Sequence, residues 1–100
     1  MANTQGKTTD EIFMEDLKQE FIESVSPKLK EMKLLLDQDN LADIARIAHD
    51  IKGTAGVFGL DEGTDIAKDL QKKAQENNFE ETKSLVERLT VYMRENGVDI

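Results

Sequence analysis

The sequence predicts an all-α domain: an antiparallel up-and-down four-helix bundle, led by a short or kinked extra helix at the N-terminus. Three observations predict it. Apolar residues recur at spacings of three and four along most of the chain. No stretch alternates apolar with polar residues as a half-buried strand would. The periodic segments are joined by short polar connections, which place consecutive helices side by side and antiparallel. A chain of 100 residues suits one small domain with one modest core.

The first helical stretch covers about 10–36. Thr8 with Glu11 makes a capping box. Met14, Leu17, Phe21, Val25, Leu29, Met32 and Leu36 then lay one apolar stripe along it. Pro27 sits inside this run, where proline is poorly suited to a helix, and Ser26 before it can serve as an N-cap. A break or kink is therefore expected near Ser24 to Pro27. The stripe keeps its phase across Pro27, which favours a kink over a large change of direction.

The tetrapeptide DQDN is a turn, and Asp39 or Asn40 can cap the second main helix. Leu41, Ile44, Ala48, Ile51, Ala55 and Phe58 form its stripe, with Gly59 as its C-terminal stop. Asp61 starts the next helix, with Ile66, Ala67, Leu70 and Ala74 inward, and ENN ends it. Asn78 with Glu81 caps the last helix, whose stripe is Phe79, Leu85, Val86, Leu89 and Met93. Gly97 follows its end. The organisation expected is a mobile polar tail over 1–9, the bundle over 10–96 and a C-terminal tail over 97–100.

Composition removes several classes of function. The chain has no cysteine, which excludes disulfides, thiolate metal sites and cysteine nucleophiles. A single histidine is a poor start for a metal centre. No apolar run approaches the length that spans a bilayer, and MANTQGKTT lacks the apolar segment of a secretion signal, so a soluble cytoplasmic protein is expected. The net charge of -8 repels phosphate and argues against a nucleic-acid partner.

One segment stands apart, AHDIKGTAGVFG from Ala48 to Gly59. It carries the only histidine, a lysine one turn later, and glycines inside a helical pattern. At 100° per residue, His49 lies one step round from the stripe position Ala48, on the flank of the helix. Ala45 and Arg46 precede it by one turn, Lys52 and Gly53 follow by one turn, and Gly56 lies two turns on. Each interior glycine costs a helix roughly 1 kcal/mol against alanine, so Gly53 and Gly56 need a reason. One reason is close packing of a neighbouring helix. The other is room for a second molecule to reach the histidine.

A free imidazole, with a reference pKa of about 6.5, is mostly neutral near pH 7 and is a competent nucleophile. Lys52 would attract and stabilise an arriving phosphoryl group. A phosphate-cradling glycine loop is a weaker reading, because no strand precedes GTAGVFG and the Gly-Lys-Ser/Thr ending is missing. A Ser-His-Asp triad is weak as well. Asp50 points about 100° away from His49 on a helix, and nothing marks a nucleophilic serine.

HDIKGTAGVFG resembles the signature of histidine-containing phosphotransfer (HPt) domains, the relay modules of two-component signalling. His49, Lys52, Gly53, Thr54, Ala55 and Gly59 match that signature in order, and the resemblance extends over about Phe21 to Met93. It implies that His49 accepts a phosphoryl group, usually on Nε2, from an aspartyl phosphate of one receiver domain and passes it to another. It implies that Lys52 offsets phosphate charge and that Gly53 leaves room for the receiver. Family members often place a glutamine or glutamate on the following helix at the position of Gln71, where a carbonyl can accept the Nδ1 proton and orient the ring.

The resemblance further implies a docking surface round His49, drawn from Ala45, Arg46, Lys52, Gly53, Gly56, Lys68, Gln71, Lys72 and Gln75, with Ile12 and Phe13 as candidate apolar contacts. Partners would be response-regulator receiver domains and a hybrid histidine kinase or its receiver, with no nucleic acid and no membrane. The chain is expected to be a monomer without a cofactor, magnesium being supplied by the receiver. It is expected to carry phosphate covalently without enzymatic turnover. The alternative is a docking-only helical module that binds receiver or signalling proteins without carrying phosphate.

Overall fold

The computed structural model describes residues 9–98, with side chains from 17 onward. Four helices fill it: α1 (Thr9–Asp37), α2 (Leu41–Val57), α3 (Asp61–Gln75) and α4 (Phe79–Glu95). Each packs on the next and α4 closes onto α1, with α2 and α3 the most extensively paired. This is the up-and-down bundle expected. Thr8, the side chains of Ile12, Phe13 and Met14, and the tail over 1–8 lie outside the described residues.

The N-terminal lead-in is the point of difference. A break near Pro27 is not seen: α1 is one helix of 29 residues with Pro27 inside it. The physical reason is burial. Pro27 is exposed, while Val25 and Leu29 on either side are 1% and 0% exposed. An interior proline costs a helix about 3 kcal/mol. Each fully buried aliphatic side chain returns about 1.5–3 kcal/mol. Two such anchors in phase therefore hold the helix through the proline.

The core is built from the predicted stripes. Leu29, Met32, Ile44, Ile51, Leu70, Leu89 and Met93 are among the largest fully buried side chains. On α1 the stripe drifts at its end, so Leu35 is buried and Leu36 only half-buried. Phe58 and Phe79 pack against the core from its margin. Among the described residues, the two buried hydroxyls are satisfied at α4: Thr82 donates to the Asn78 carbonyl at 2.6 Å and Thr90 to the Val86 carbonyl at 2.8 Å.

The helices end alike. After α2, Gly59 takes φ +73, its N–H bonds the Gly56 carbonyl at 3.2 Å, and the Leu60 N–H reaches back to Ala55 at 3.0 Å. That double bond pattern is a Schellman stop. Asp39 and Asn77 play the same part after α1 and α3 at φ 55 and 62, and Gly97 does so after α4. The residues that follow in the first and third turns then begin the next helix. The Asn40 side chain accepts from the Asp43 N–H, and that of Asn78 from the Glu81 N–H, each at 3.2 Å. These dual-purpose turns set antiparallel neighbours with no slack, and so set the faces that α2 and α3 present to each other.

A helix of 29 residues is roughly 43 Å long, against roughly 26 Å for the 17-residue α2. The ring of Phe21 meets that of Phe58 at 5.0 Å between centroids, at the C-terminal end of α2. The beginning of α1 therefore runs on past the end of α2, which accounts for a long dimension of 55 Å against 20 and 19 Å.

Candidate functional site

The rotation of α2 places its chemistry. Ile44, Ala48, Ile51 and Ala55 are between 0% and 1% exposed and lock one face of the helix into the core. His49 is thereby forced outward and is exposed. It stands on a ridge between two open grooves. On one side α1 and α2 enclose a groove of about 560 Å³, lined by Leu17, Phe21, Val57 and Phe58 with Glu20 and Asp50. On the other, α2 and α3 enclose one of about 640 Å³, lined by Ala45, Arg46, Gln71, Ala74, Gln75 and Asn77. His49 lines both.

The two explanations for the glycines now separate. A Cβ built on Gly53 would meet no heavy atom within 4 Å, so no neighbouring helix requires glycine there. A Cβ on Gly56 would touch only Thr64 Oγ1, at an ordinary 3.6 Å. What Gly53 leaves open is solvent-facing space one turn beyond the imidazole. The glycine that does serve close packing is Gly63, near the start of α3. There a Cβ would lie 2.8 Å from Tyr92 Cε2 and 3.3 Å from Met93 Cε. Its need for glycine depends on side chains of α4, distant in sequence.

The cations near His49 differ in their engagement. The Arg46 guanidinium donates to the Asp43 carboxylate, so much of its charge is answered locally. Asp43 is itself held by the Asn40 side-chain amide at 2.8 Å. Lys52 is half-buried and makes no ion pair among the described residues. Its backbone carbonyl accepts from Thr64 Oγ1 at 3.5 Å, a bond that ties this turn of α2 to α3. Lys52 is thus the cation available one turn from the imidazole.

The remaining predicted residues fall into three groups. Gln71 and Gln75 line the α2–α3 groove with His49, although no hydrogen bond joins Gln71 to His49 in this structure. Ala45 is only 7% exposed, so it contributes the floor of that groove and not a protruding contact. Its position one turn before His49, beside the stripe, turned it further inward than the flank predicts. Lys68 and Lys72 are exposed on α3 but line neither groove beside His49.

Sequence reasoning missed the α1–α2 groove. Leu17, Glu20, Phe21 and Ser24 come to His49 from α1, where the stripe alone marks Leu17 and Phe21 as core. Val57, at 69% exposed, was legible as an apolar residue off the α2 stripe. Among the described residues no group of three or more His, Cys, Asp or Glu is placed to hold a metal ion. No helix among them is long and apolar enough to cross a membrane.

An exposed histidine on the second helix of a four-helix bundle, with a cation and an open glycine on the next turn, agrees with what a family comparison finds independently. The family model described as Hpt domain matches residues 16–95. Neither a curated protein nor a solved structure matches the chain. The matched span takes in all of α2, α3 and α4 and most of α1, and the chain belongs to the Hpt domain family of two-component phosphorelays.

Proposed function

We propose that the chain is a phosphorelay intermediate in which His49 accepts a phosphoryl group from a receiver-domain aspartyl phosphate and returns it to the aspartate of another receiver. The observation that carries this reading is the exposed imidazole beside the open space at Gly53. A receiver active site is concave, so the nucleophile must stand on a convex ridge free of its own neighbours. His49 stands on such a ridge.

In the forward step the lone pair of neutral Nε2 attacks phosphorus. The P–N bond forms, the P–O bond to the receiver's carboxyl group breaks, and the aspartate leaves as carboxylate. The return step reverses this on the second receiver. Lys52 lies one turn away and counters the charge of the phosphoryl oxygens. Gln71 shares the lining of the α2–α3 groove with His49, which supports the reading that its side chain steadies the ring. No water needs activation, so positioning and electrostatics suffice. Magnesium belongs to the receiver, whose carboxylates would hold it. The domain acts as a carrier without turnover, as a cytoplasmic monomer whose ridge stays uncovered.

The test charges a panel of receiver domains with radiolabelled phosphate and mixes each with the native chain and with His49→Gln. Label appearing on the native chain alone, labile to acid and stable to base, is the expected result. Receivers that bind both proteins and label neither would favour a docking-only module.

A further inference from the structure

Of the asparagines in the sequence, Asn96 alone is followed by glycine. Gly97 has no Cβ to shield its backbone nitrogen from the Asn96 side chain. When the chain is open there, the Gly97 nitrogen loses its proton and attacks Cγ of Asn96. The new C–N bond closes a five-membered succinimide, the Cγ–Nδ2 bond breaks, and ammonia leaves with the proton. Water then opens the ring at either carbonyl, giving aspartate or, with the backbone rerouted through the side chain, isoaspartate. The fold withholds this reaction. Ring closure brings Cβ and the Gly97 nitrogen to the same side of the Cα–C bond, whereas φ -107 and ψ 20 at Asn96 set them well apart. The Gly97 N–H donates to the Arg94 carbonyl at 3.1 Å and the Val98 N–H to the Met93 carbonyl at 3.0 Å. Asn96 Nδ2 itself donates to the Tyr92 carbonyl at 2.9 Å. Val98, 3% exposed, anchors the turn in the core.

We propose that Asn96 is a deamidation site held closed by the Schellman stop of α4, and that its conversion to isoaspartate makes a transient opening of that helix end permanent. Releasing these few hydrogen bonds and the Val98 side chain frees ψ at Asn96, so the opening is local and the rest of the bundle stays folded. Asn96 is exposed, so water and base reach it once the turn opens. The product differs from the starting residue in two ways. A carboxylate cannot donate to the Tyr92 carbonyl, and its negative charge sits at the C-terminal end of α4, where the macrodipole disfavours it. Isoaspartate also adds a carbon to the backbone between Met93 and Val98, which puts the Val98 N–H out of register with the Met93 carbonyl and takes Val98 from its seat. Gly97 therefore acts twice: φ +96 suits the stop, and its unshielded nitrogen makes failure of the stop irreversible. Neither step involves His49, so the site does not depend on the phosphoacceptor reading.

The test incubates the full chain in mildly alkaline buffer, with and without denaturing urea. Peptide mass and retention time separate the Asn96, aspartyl and isoaspartyl forms. In the folded chain Asn96 is expected to convert at least about tenfold more slowly than in urea, the protection given by an opening that costs about 1.4 kcal/mol. Val98→Ala removes two buried methyl groups from the anchor and should speed the folded-state reaction about tenfold, with the rate in urea unchanged. Ile44→Val lies in the first turn of α2, at the opposite end of the bundle, and should leave the folded-state rate unchanged. Amide hydrogen exchange gives a reading that needs no variant: Gly97 and Val98 should exchange faster than Leu89. The isolated isoaspartyl product should melt at least about 4 °C below the native chain. Equal rates with and without urea, no acceleration in Val98→Ala, or equal acceleration in Ile44→Val would overturn the proposal. So would exchange at Gly97 and Val98 as slow as at Leu89, or an isoaspartyl product of unchanged Tm.

Discussion

Replacing Gly53 separates the demands of folding from those of access. A Cβ at this position meets nothing within 4 Å, and the residue is exposed in the interior of α2. Alanine should therefore gain its full helix advantage over glycine, about 0.8–1 kcal/mol. For a domain of this size, that gain raises Tm by about 4–8 °C. Gly63→Ala supplies the contrast. Its Cβ falls 2.8 Å from the Tyr92 ring, so Tyr92 and Met93 must shift. Overpacking of this kind costs about 1–3 kcal/mol, more than the helical gain available in the first turn of α3. Thermal melts of the two variants should thus move in opposite directions. Phosphotransfer supplies the second axis. Gly53→Leu, a larger side chain in the same open space, should melt near or above the native chain. It should also slow transfer from a charged receiver by about tenfold or more, a loss of about 1.4 kcal/mol at the transition state. A Gly53→Ala variant that melts well below the native chain would refute the reading of open space. A Gly53→Leu variant that transfers at the native rate would refute the reading of access.

Three further substitutions test the framework that positions His49. Asn40→Ala and Asn78→Ala each remove a side-chain acceptor from a helix start, and each should cost about 1 kcal/mol by denaturant unfolding; two unchanged midpoints would contradict the capping role. Pro27→Ala restores a backbone donor inside α1 without touching the core, since Pro27 is exposed. It should stabilise the bundle by about 1–3 kcal/mol, and a loss of stability would show that the proline sets a bend the bundle needs.

The periodic stripes made α2, α3 and α4 legible because each turn of these helices places its apolar residues on a face that the fold buries. Asn78 was legible as a cap and Gly59 as a stop because their roles are local. At Pro27 the sequence left a break or a kink open and favoured the kink; the break is excluded, since the local rule against interior proline yields to the burial of Val25 and Leu29, which only the assembled core reveals. The left-handed turns at Asp39 and Asn77 carried no glycine to announce them. At the candidate site, His49, Lys52 and Gly53 share a single helix, so their placement relative to one another follows from its geometry, while their selection came from the family resemblance. The contributions of α1 to the apolar groove, and the packing of Gly63 on Tyr92, depend on contacts between distant segments. Periodicity supplies the face of a helix but not the identity of its neighbour.

The most direct measurement is a chase. The native chain is charged by one labelled receiver, separated from it, and mixed with a second, uncharged receiver. A relay at His49 predicts that label leaves the chain and appears on the aspartate of the second receiver, with little released as free phosphate, and that His49→Gln carries no label to deliver. Label that never enters the native chain, or that enters His49→Gln equally well, would contradict it.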